Sequence, residues 1–586
     1  MTSTFDGSEK DVLSQRSDIA ASNKALEILL HSAIALSIIL RFAWANKREL
    51  WYDEVLSVLL SSGQKNAYAL PENTPISLRD ISQLLNIPAD SSILATAKDV
   101  IKGTLGDPHP PLFYLAQHGW MRMFGNGEGA LRCLMVLVSV GALWAAYWVG
   151  TRLLGRSGAL VFTALLALNP FFLSHSLNLR MYTPLVLWVL VSAGCLLSLV
   201  EIPQTESSAQ KGKRGYLRLG IVCSLIAGLL THYLFTYWLF ALAALALYLD
   251  RKRWFQYALT MSAGVVLFLP WALWGTRQQI HNRRDVLSQI SAVGGPLQSA
   301  MQHLKDLAQT LANHTILGHL TTSMEPIGEP IKPAAVAVGC GVISFLLLCA
   351  VSLYQRRQHR VLTVALLMGG LPLLVALSID VAASKHTLGF GWGRSVMVAL
   401  PGCLLLVAAW VEVCTGRWRK SIVALVLAAY LGVNLMDFGL GSIGGRDRLM
   451  FHTLSDHFST QSDATLVALD TKAWGHVLRL AYYLDDRIKD GSSDAELLAT
   501  NPADMPDAIA TALAQKHYDQ VLWLHAEYPL WAKPETSEDA EQLIAQTKLA
   551  IQTHYLSNVA EVTPEFLSGT MNLDRFTLRS YQKGLD

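Results

Sequence analysis

Long apolar runs constrain the fold of this chain more than any other feature of its sequence. A run of about 20 apolar residues can cross the hydrocarbon core of a bilayer as a helix, which makes its backbone hydrogen bonds internally. Such runs lie near residues 26–44, 130–150, 157–174, 182–200, 216–231, 233–249, 255–274, 333–354, 361–379, 395–413 and 420–438. The sequence therefore predicts an α-helical polytopic membrane protein with about 11 transmembrane helices.

The composition agrees with a membrane protein and argues against nucleic-acid binding. Of the 586 residues, 52% are hydrophobic and 16% are charged, whereas a soluble domain carries about a quarter charged residues. The net charge is only +2, and no basic run has aromatic residues interleaved with it. The first apolar run lacks a small-residue cleavage site, so we expect a retained helix rather than a signal peptide. All seven cysteines lie in or beside apolar runs, where we expect them to pack between helices.

Basic residues in the short connections predict how the helices are oriented. Lysine and arginine are enriched in the short cytoplasmic loops of membrane proteins. Here they occupy every second connection: Arg152/Arg156, Lys211/Lys213/Arg214/Arg218, Arg251/Lys252/Arg253, Arg356/Arg357/Arg360 and Arg417/Arg419/Lys420. This alternation predicts that the N-terminus is cytoplasmic and that the C-terminus lies on the outer side.

The same topology divides the chain into three parts. Residues 1–25 form a cytoplasmic tail, residues 26–439 form the transmembrane domain, and residues 440–586 form an outer domain. Two long outer loops, about 45–129 and 275–332, interrupt the transmembrane domain.

Local patterns predict further elements on the outer side. Residues Pro111–Phe124 are apolar and aromatic but short, which predicts an interfacial segment. An amphipathic helix is predicted near 297–312. In the outer domain, the strand-like pieces ATLVALD (464–470) and QVLWLHA (520–526) flank a helical stretch near 474–484, which predicts a small α/β fold.

Carboxylates at the outer ends of the helices are the candidate catalytic groups. Asp53 and Glu54 follow the first apolar run, where carboxylates at the bilayer edge are unfavourable unless they have a role. A carboxylate can take the proton from an attacking hydroxyl as the new bond forms. Asp53 is the candidate base, and Glu54 is either a helper or an ion-pair partner. Asp107 is either a second site carboxylate or the start of a turn.

Cationic and aromatic residues at the same helix ends are candidates for binding an anionic group. Arginine and histidine stabilise the charge of a leaving phosphate, and arginine does so with two parallel hydrogen bonds. The alternatives are side chains that reach the interface without a catalytic role, and an aromatic belt. The candidates are Arg180, Tyr182, His232, Lys385, His386 and Arg394, with His109 and Arg132 as further site residues.

At these residues the chain resembles the GT-C superfamily of integral membrane glycosyltransferases. It is most similar to the bacterial branch with the protein mannosyltransferases, the aminoarabinose transferases and the Rhizobium-type lipopolysaccharide sugar transferases. The matching pieces, in chain order, are WYDE, DPHPPLFYL, FGNGEGALR, NPFFLSHSLNLRMY, THY, LPW and GRSVMVALP. They cover about residues 26–413. Two departures are Asn178-Leu179, where the family has an acidic residue, and Arg394-Ser395, where it often has Arg-Tyr.

The resemblance implies a GT-C fold and an inverting glycosyl transfer from a polyprenyl-phosphate sugar, with Asp53 as the catalytic base. The expected acceptor is a hydroxyl of a protein, lipid or glycan, and the expected location is a bacterial inner membrane with the site facing the periplasm. A transporter or flippase for a lipid-linked sugar is the alternative, although the centres of the apolar runs hold few charges. A scaffold or receptor that works through its outer domain would leave the cluster of outer polar residues unexplained.

No metal or other cofactor is expected from the sequence. The histidines at 281, 303, 314 and 319 do not have metal-ligand spacing. A divalent ion at Asp53 and Asp107 is the alternative, although the basic residues there could already neutralise a phosphate without a metal.

Overall fold

The computed structural model describes residues 6–203, 208–283, 296–320, 332–439, 450–456, 464–489, 494–527, 536–554, 559–561, 564–568 and 574–583. Parts of the predicted second outer loop (284–295 and 321–331) and the first residues of the predicted outer domain (440–449) lie outside the described residues. The described chain is mostly helical and has one mixed sheet near its C-terminal end.

The helices of the first half begin with the first apolar run and continue through the first loop. They are α1 (Asp6–Trp44), α2 (Tyr52–Ser62), α3 (Leu78–Gln83), α4 (Ile93–Thr104), α5 (Leu112–Phe124), α6 (Glu128–Leu168), α7 (Pro170–Ser176), α8 (Tyr182–Val200), α9 (Ser208–Thr231), α10 (Phe235–Leu249), α11 (Trp254–Trp271) and α12 (Arg277–Asn282).

The second half contains the remaining membrane helices and the elements of the C-terminal sheet. The helices are α13 (Pro296–Ala312), α14 (Pro333–Gln355), α15 (His359–Ala383), α16 (Leu400–Cys414), α17 (Arg419–Asn434), α18 (Met450–Asp456), α19 (Trp474–Lys489), α20 (Met505–Gln515) and α21 (Ser537–His554). The strands, with a first one from the first loop, are β1 (Ile76–Ser77), β2 (Ala464–Leu469), β3 (Asp494–Ala499), β4 (Gln520–Ala526), β5 (Val559–Glu561), β6 (Glu565–Ser568) and β7 (Arg575–Lys583).

Nine helical segments among the described residues are long and apolar enough to cross a membrane. They are Lys24–Trp44, Glu128–Leu168, Tyr182–Val200, Ser208–Thr231, Arg251–Asn282, Pro333–Gln355, His359–Ala383, Gly391–Cys414 and Gly416–Asp437. The chain is therefore an integral, polytopic membrane protein.

The predicted count of about 11 differs from nine for two local reasons. The run near 130–150 and most of the run near 157–174 fall within the segment Glu128–Leu168, which a non-helical backbone at Gly155 (φ 71°) divides into two helices, and the end of the second run lies on α7. The run near 233–249 forms α10, which has 15 residues and is shorter than a full membrane span.

The C-terminal residues form a small α/β domain, as their pattern predicts. Strands β2, β3 and β4 are parallel, with β2 between the other two, and the helices α19 and α20 make the crossovers. Strand β7 adds antiparallel to β4. The predicted pieces at 464–470 and 520–526 are strands β2 and β4, and the predicted helix near 474–484 is α19.

The first loop is joined to this C-terminal domain. Strand β1 of the loop pairs antiparallel with β3, so that Ile76 lies opposite Leu497. The backbone N–H of Leu50 donates to the hydroxyl of Tyr483 at 2.6 Å. These contacts place the first loop and the C-terminal domain on the same side of the membrane, as the alternation of the basic loops predicts.

The orientation itself is a testable prediction. A chain without its seven native cysteines can carry either Lys213→Cys, in a basic connection, or Gln546→Cys, at an exposed position on α21 of the C-terminal domain. A membrane-impermeant maleimide is expected to label Gln546→Cys in intact cells and Lys213→Cys only after permeabilisation. Equal labelling of both variants in intact cells would contradict the topology.

Candidate active site

The position of Asp53 is set by the first turn of α2. Glu54 folds back at the start of this helix, and its Oε2 accepts a hydrogen bond from the backbone N–H of Trp51 at 3.0 Å. Carboxylates in a first helical turn are favoured by the unpaired N–H groups there. The side chain of Asp53, one residue earlier, is 23% exposed, so it remains accessible beside the membrane helices.

Glu54 points away from solvent and forms a buried ion pair. Its Oε2 lies 2.8 Å from Nη2 of Arg132, and both side chains are fully buried. Its Oε1 accepts the backbone N–H of Leu179 at 2.7 Å. Burial opposes ionisation of Glu54, but the charges of Arg132 and Arg48 outweigh it and lower the pKa. Of the two predicted roles, the geometry favours ion pairing.

Arg132 also fastens the start of the first loop. Its guanidinium donates to the backbone carbonyls of Ala45, Arg48 and Glu49 at 2.8, 2.6 and 3.1 Å. Together with Glu54 it holds the segment that precedes Asp53 against α6 and the connection before Arg180.

Two arginines from distant parts of the chain face the carboxylate of Asp53. Nη1 of Arg394 lies 3.4 Å from Oδ2 of Asp53, and Nη2 of Arg180 lies 3.9 Å from the same oxygen. Arg180 also donates to the hydroxyl of Ser57 at 3.1 Å. Both arginines are largely buried, and the Nε atom of each has no hydrogen-bond partner within the described part of the chain.

Aromatic rings surround the guanidinium of Arg394. Its Cζ lies 5.5 Å from the ring centres of Trp51 and Tyr182 and 5.7 Å from that of Trp392, distances at which cation–π attraction operates. The loop that carries it has left-handed backbone at Gly391 (φ 61°) and Trp392 (φ 60°). A Cβ at Gly391 would lie 2.3 Å from Nε of Arg394, so only glycine leaves room for this side chain.

A second polar group lies beside the arginines and contains Asp107 and His109. Oδ1 of Asp107 accepts hydrogen bonds from the backbone and Nδ1 of His109, at 3.0 and 2.8 Å, and from the hydroxyl of Tyr114 at 3.0 Å. Burial raises the pKa of Asp107, but the interactions with His109 and Arg180 outweigh it and lower the pKa to about 2. Burial lowers the pKa of His109. Asp107 is therefore a carboxylate and His109 is neutral near pH 7.

His232 links this group to the arginines. Its ring centre lies 5.4 Å from that of His109 and 6.1 Å from that of Tyr182. The structure thus brings together seven of the predicted site residues. They are Asp53, Asp107, His109, Arg180, Tyr182, His232 and Arg394.

His386, in the turn after α15, contacts residues of α13. Nδ1 of His386 is 3.2 Å from Oδ2 of Asp306, and its ring packs 4.4 Å from that of His303. The backbone N–H of Lys385 donates to Asp380 at 2.9 Å. The turn between α15 and Arg394 therefore directs the His386 side chain towards α13.

Several contributors to the site were not among the predicted residues. Trp51 and Trp392 flank Arg394, Ser57 accepts from Arg180, and Tyr114 donates to Asp107. Asn178, at the position where the resembling family has an acid, accepts the indole N–H of Trp51 at 2.8 Å. Ser57 lies one turn after Asp53 on α2, which is the signal that sequence reasoning passed over.

Comparison with known proteins supports the resemblance. The family model for dolichyl-phosphate-mannose-protein mannosyltransferase matches residues 108–274, which include His109, Arg132, Arg180, Tyr182 and His232. The predicted resemblance to GT-C glycosyltransferases is thereby confirmed for this region. No curated protein matches the sequence.

Solved structures align with the chain at low sequence identity. ArnT from Cupriavidus metallidurans bound to undecaprenyl phosphate is 12% identical, with a TM-score of 0.39 over 94% of this chain and 98% of ArnT. An oligosaccharyltransferase from Archaeoglobus fulgidus, tethered with an acceptor peptide, is 11% identical, with a TM-score of 0.44 over 84% of this chain and 69% of that protein.

Proposed function

We propose that this chain is an inverting glycosyltransferase that moves a sugar from a polyprenyl-phosphate donor to an acceptor hydroxyl on the outer face of the membrane. The family match over residues 108–274, to proteins described as dolichyl-phosphate-mannose-protein mannosyltransferases, supports the reaction class. The observation that carries the proposal is the pair of arginines, Arg180 and Arg394, that face the single carboxylate of Asp53.

The hydrogen-bonding capacity of these arginines exceeds what the described residues use. A guanidinium carries five N–H donors in a planar fork. Asp53 offers one oxygen at 3.4 and 3.9 Å to the two arginines, and both Nε atoms are buried without a partner in the described chain. A phosphate provides several strong acceptor oxygens and matches the arginine fork. The site therefore suits an anionic phosphate better than a neutral ligand.

The reaction follows from this arrangement. The acceptor oxygen attacks the anomeric carbon, its proton passes to the Asp53 carboxylate, and the bond from carbon to the phosphate oxygen breaks. The lipid phosphate leaves with the bonding electrons, and Arg180 and Arg394 stabilise the charge that it gains. Because the phosphate competes with Asp53 for the two guanidiniums, donor binding also releases the carboxylate for its role as a base.

The proposal is tested with the purified chain in lipid vesicles and synthetic polyprenyl-phosphate sugars labelled in the sugar. Protein, lipid and glycan fractions from membranes serve as separate acceptor pools, which also identifies the acceptor class. We expect label to move from the lipid donor into one pool and no transfer from nucleotide sugars. Transfer from a nucleotide sugar alone, or movement of the intact donor between leaflets without bond cleavage, would contradict the proposal.

Removal of either arginine is expected to impair use of the donor. Charge-assisted hydrogen bonds contribute about 1.5–3 kcal/mol each, so Arg180→Ala and Arg394→Ala should lower kcat/KM for the donor by roughly ten- to a hundredfold. Lysine at either position should restore activity only in part, because it lacks the planar fork. The measurement is initial transfer rate against donor concentration.

The matched control is Arg79→Ala, which removes an exposed arginine from α3 in the same outer loop. We expect its kcat/KM to remain at the wild-type value. Equal losses in Arg79→Ala and Arg180→Ala would show that the effect is one of general charge rather than phosphate binding.

A further inference from the structure

Three potential metal ligands from two distant segments meet beside α13. His303 and Asp306 lie one turn apart on that helix, and His386 lies in the turn after α15. One ligand atom from each residue lies within 4.8 Å of the other two. His303 and Asp306 are buried, and the His386 side chain is 19% exposed.

The distance between the Asp306 and His386 donor atoms agrees with a shared metal ion. Nδ1 of His386 and Oδ2 of Asp306 are 3.2 Å apart. Two donors bound to one tetrahedral zinc at about 2.0–2.1 Å each are roughly 3.3 Å from one another. Two imidazoles and one carboxylate form a common ligand set for zinc, which accepts nitrogen and oxygen donors and completes its shell with water.

An unpartnered nitrogen provides an independent indication of a ligand. His303 is only 3% exposed, and its Nδ1 has no hydrogen-bond partner among the residues that the structure describes. Its other nitrogen, Nε2, lies 3.2 Å from the hydroxyl of Ser299. A buried nitrogen of this kind requires either a hydrogen bond or a metal. The Asp306–His386 contact leaves this nitrogen unused, whereas an ion bound by His303 through Nδ1 would use it.

Hydrogen bonds from neighbouring residues hold these side chains in place. Gln302 donates to Oδ1 of Asp306 at 2.8 Å, which leaves Oδ2 directed at His386. Together with the contact of Ser299 to His303, this is the support that metal ligands normally receive from neighbouring residues.

We propose that His303, Asp306 and His386 bind a divalent transition-metal ion, zinc by its ligand set, which fastens the loop carrying Arg394 to α13. Two further hydrogen bonds join the same region of the chain to the loop that carries Arg394. Thr310 donates to the carbonyl of Leu388 at 3.2 Å, and Asn313 donates to that of Trp392 at 3.1 Å. The metal lies at one end of this row of contacts, and Arg394 follows Trp392 at the other end.

The test measures metal directly in the full-length chain, purified without a histidine tag. After chelation and dialysis, we expect wild-type protein to take up close to one equivalent of zinc or cobalt(II) by elemental analysis. His303→Ala and His386→Ala should each reduce tight uptake at least tenfold. His359→Ala, which removes an exposed histidine at the start of α15, is the matched control and should bind as wild type does.

A second variant separates loss of the site from loss of folding. Asp306→Cys replaces one ligand by another, so its cobalt(II) complex should show a thiolate-to-cobalt charge-transfer band that wild-type and His359→Ala proteins lack. Uptake below a tenth of an equivalent in folded wild-type protein would overturn the proposal. Unchanged uptake in both histidine variants, or a cobalt complex of Asp306→Cys without the band, would do so as well.

Discussion

Asp53→Asn is expected to lower the turnover of glycosyl transfer by roughly 10²–10⁴, the usual contribution of a general base. The change preserves the size of the side chain but removes the group that accepts the proton of the acceptor hydroxyl. It also removes the countercharge that lies 3.4 and 3.9 Å from Arg394 and Arg180. Those arginines are then free for the donor phosphate, so we expect KM for the donor to stay the same or to fall. The measurement is kcat and KM with a synthetic lipid donor.

The control for this prediction is Asp99→Asn, in the same outer loop. Asp99 lies on α4, its side chain is 47% exposed, and it pairs only with the exposed Lys102 at 3.3 Å among the described residues. We expect its kcat to match that of the wild type. A near-normal rate in Asp53→Asn would instead transfer the role of base to Asp107, since Glu54 is fully buried in its ion pair.

The membrane helices could be predicted from the sequence because their signal is local. Each predicted apolar run lies on a helix, and the predicted strand at 520–526 is β4. Strand β1 was not predicted, because Ile76–Ser77 is too short for a pattern and its partner, β3, lies more than 400 residues later. The break at Gly155, in contrast, lies between the predicted runs near 130–150 and 157–174, at the basic connection Arg152/Arg156, so the sequence predicted it.

The sequence could predict which candidate site residues lie on the same side of the membrane, but not which of them are in contact. Asp53, Arg180 and Arg394 lie at helix ends on one side, and packing of those helices brings them together. The direction of a loop depends on tertiary packing, which the sequence does not show. His386 was therefore grouped with Arg394 because the two are close in sequence. It also missed the set of His303, Asp306 and His386, because spacing rules detect ligands close in sequence and not those 80 residues apart.

The sequence also left the role of Glu54 open. The buried ion pair that Glu54 forms in the structure makes a distinct prediction. Glu54→Ala is expected to destabilise the folded chain by about 3–5 kcal/mol, because it leaves the buried charge of Arg132 without a counterion. The same change also releases the N–H groups of Trp51 and Leu179, which the carboxylate accepts. Thermal unfolding of the purified protein in detergent should therefore show a large fall in the apparent Tm. If Glu54 were instead a catalytic helper, the Glu54→Ala variant would lose activity at an unchanged Tm.

A double-mutant cycle tests whether the loss comes from the pair itself. In Glu54→Ala/Arg132→Met the unpaired charge is gone, so the double variant should be more stable than the sum of the two single losses predicts. Recovery should be incomplete, because methionine cannot donate to the carbonyls of Ala45, Arg48 and Glu49 as Arg132 does. The exposed pair of Asp99 and Lys102 provides the comparison, and Lys102→Ala should change Tm little. Additive losses in the Glu54 and Arg132 cycle would argue that the two side chains act independently, and the structural role assigned to Glu54 would then be wrong.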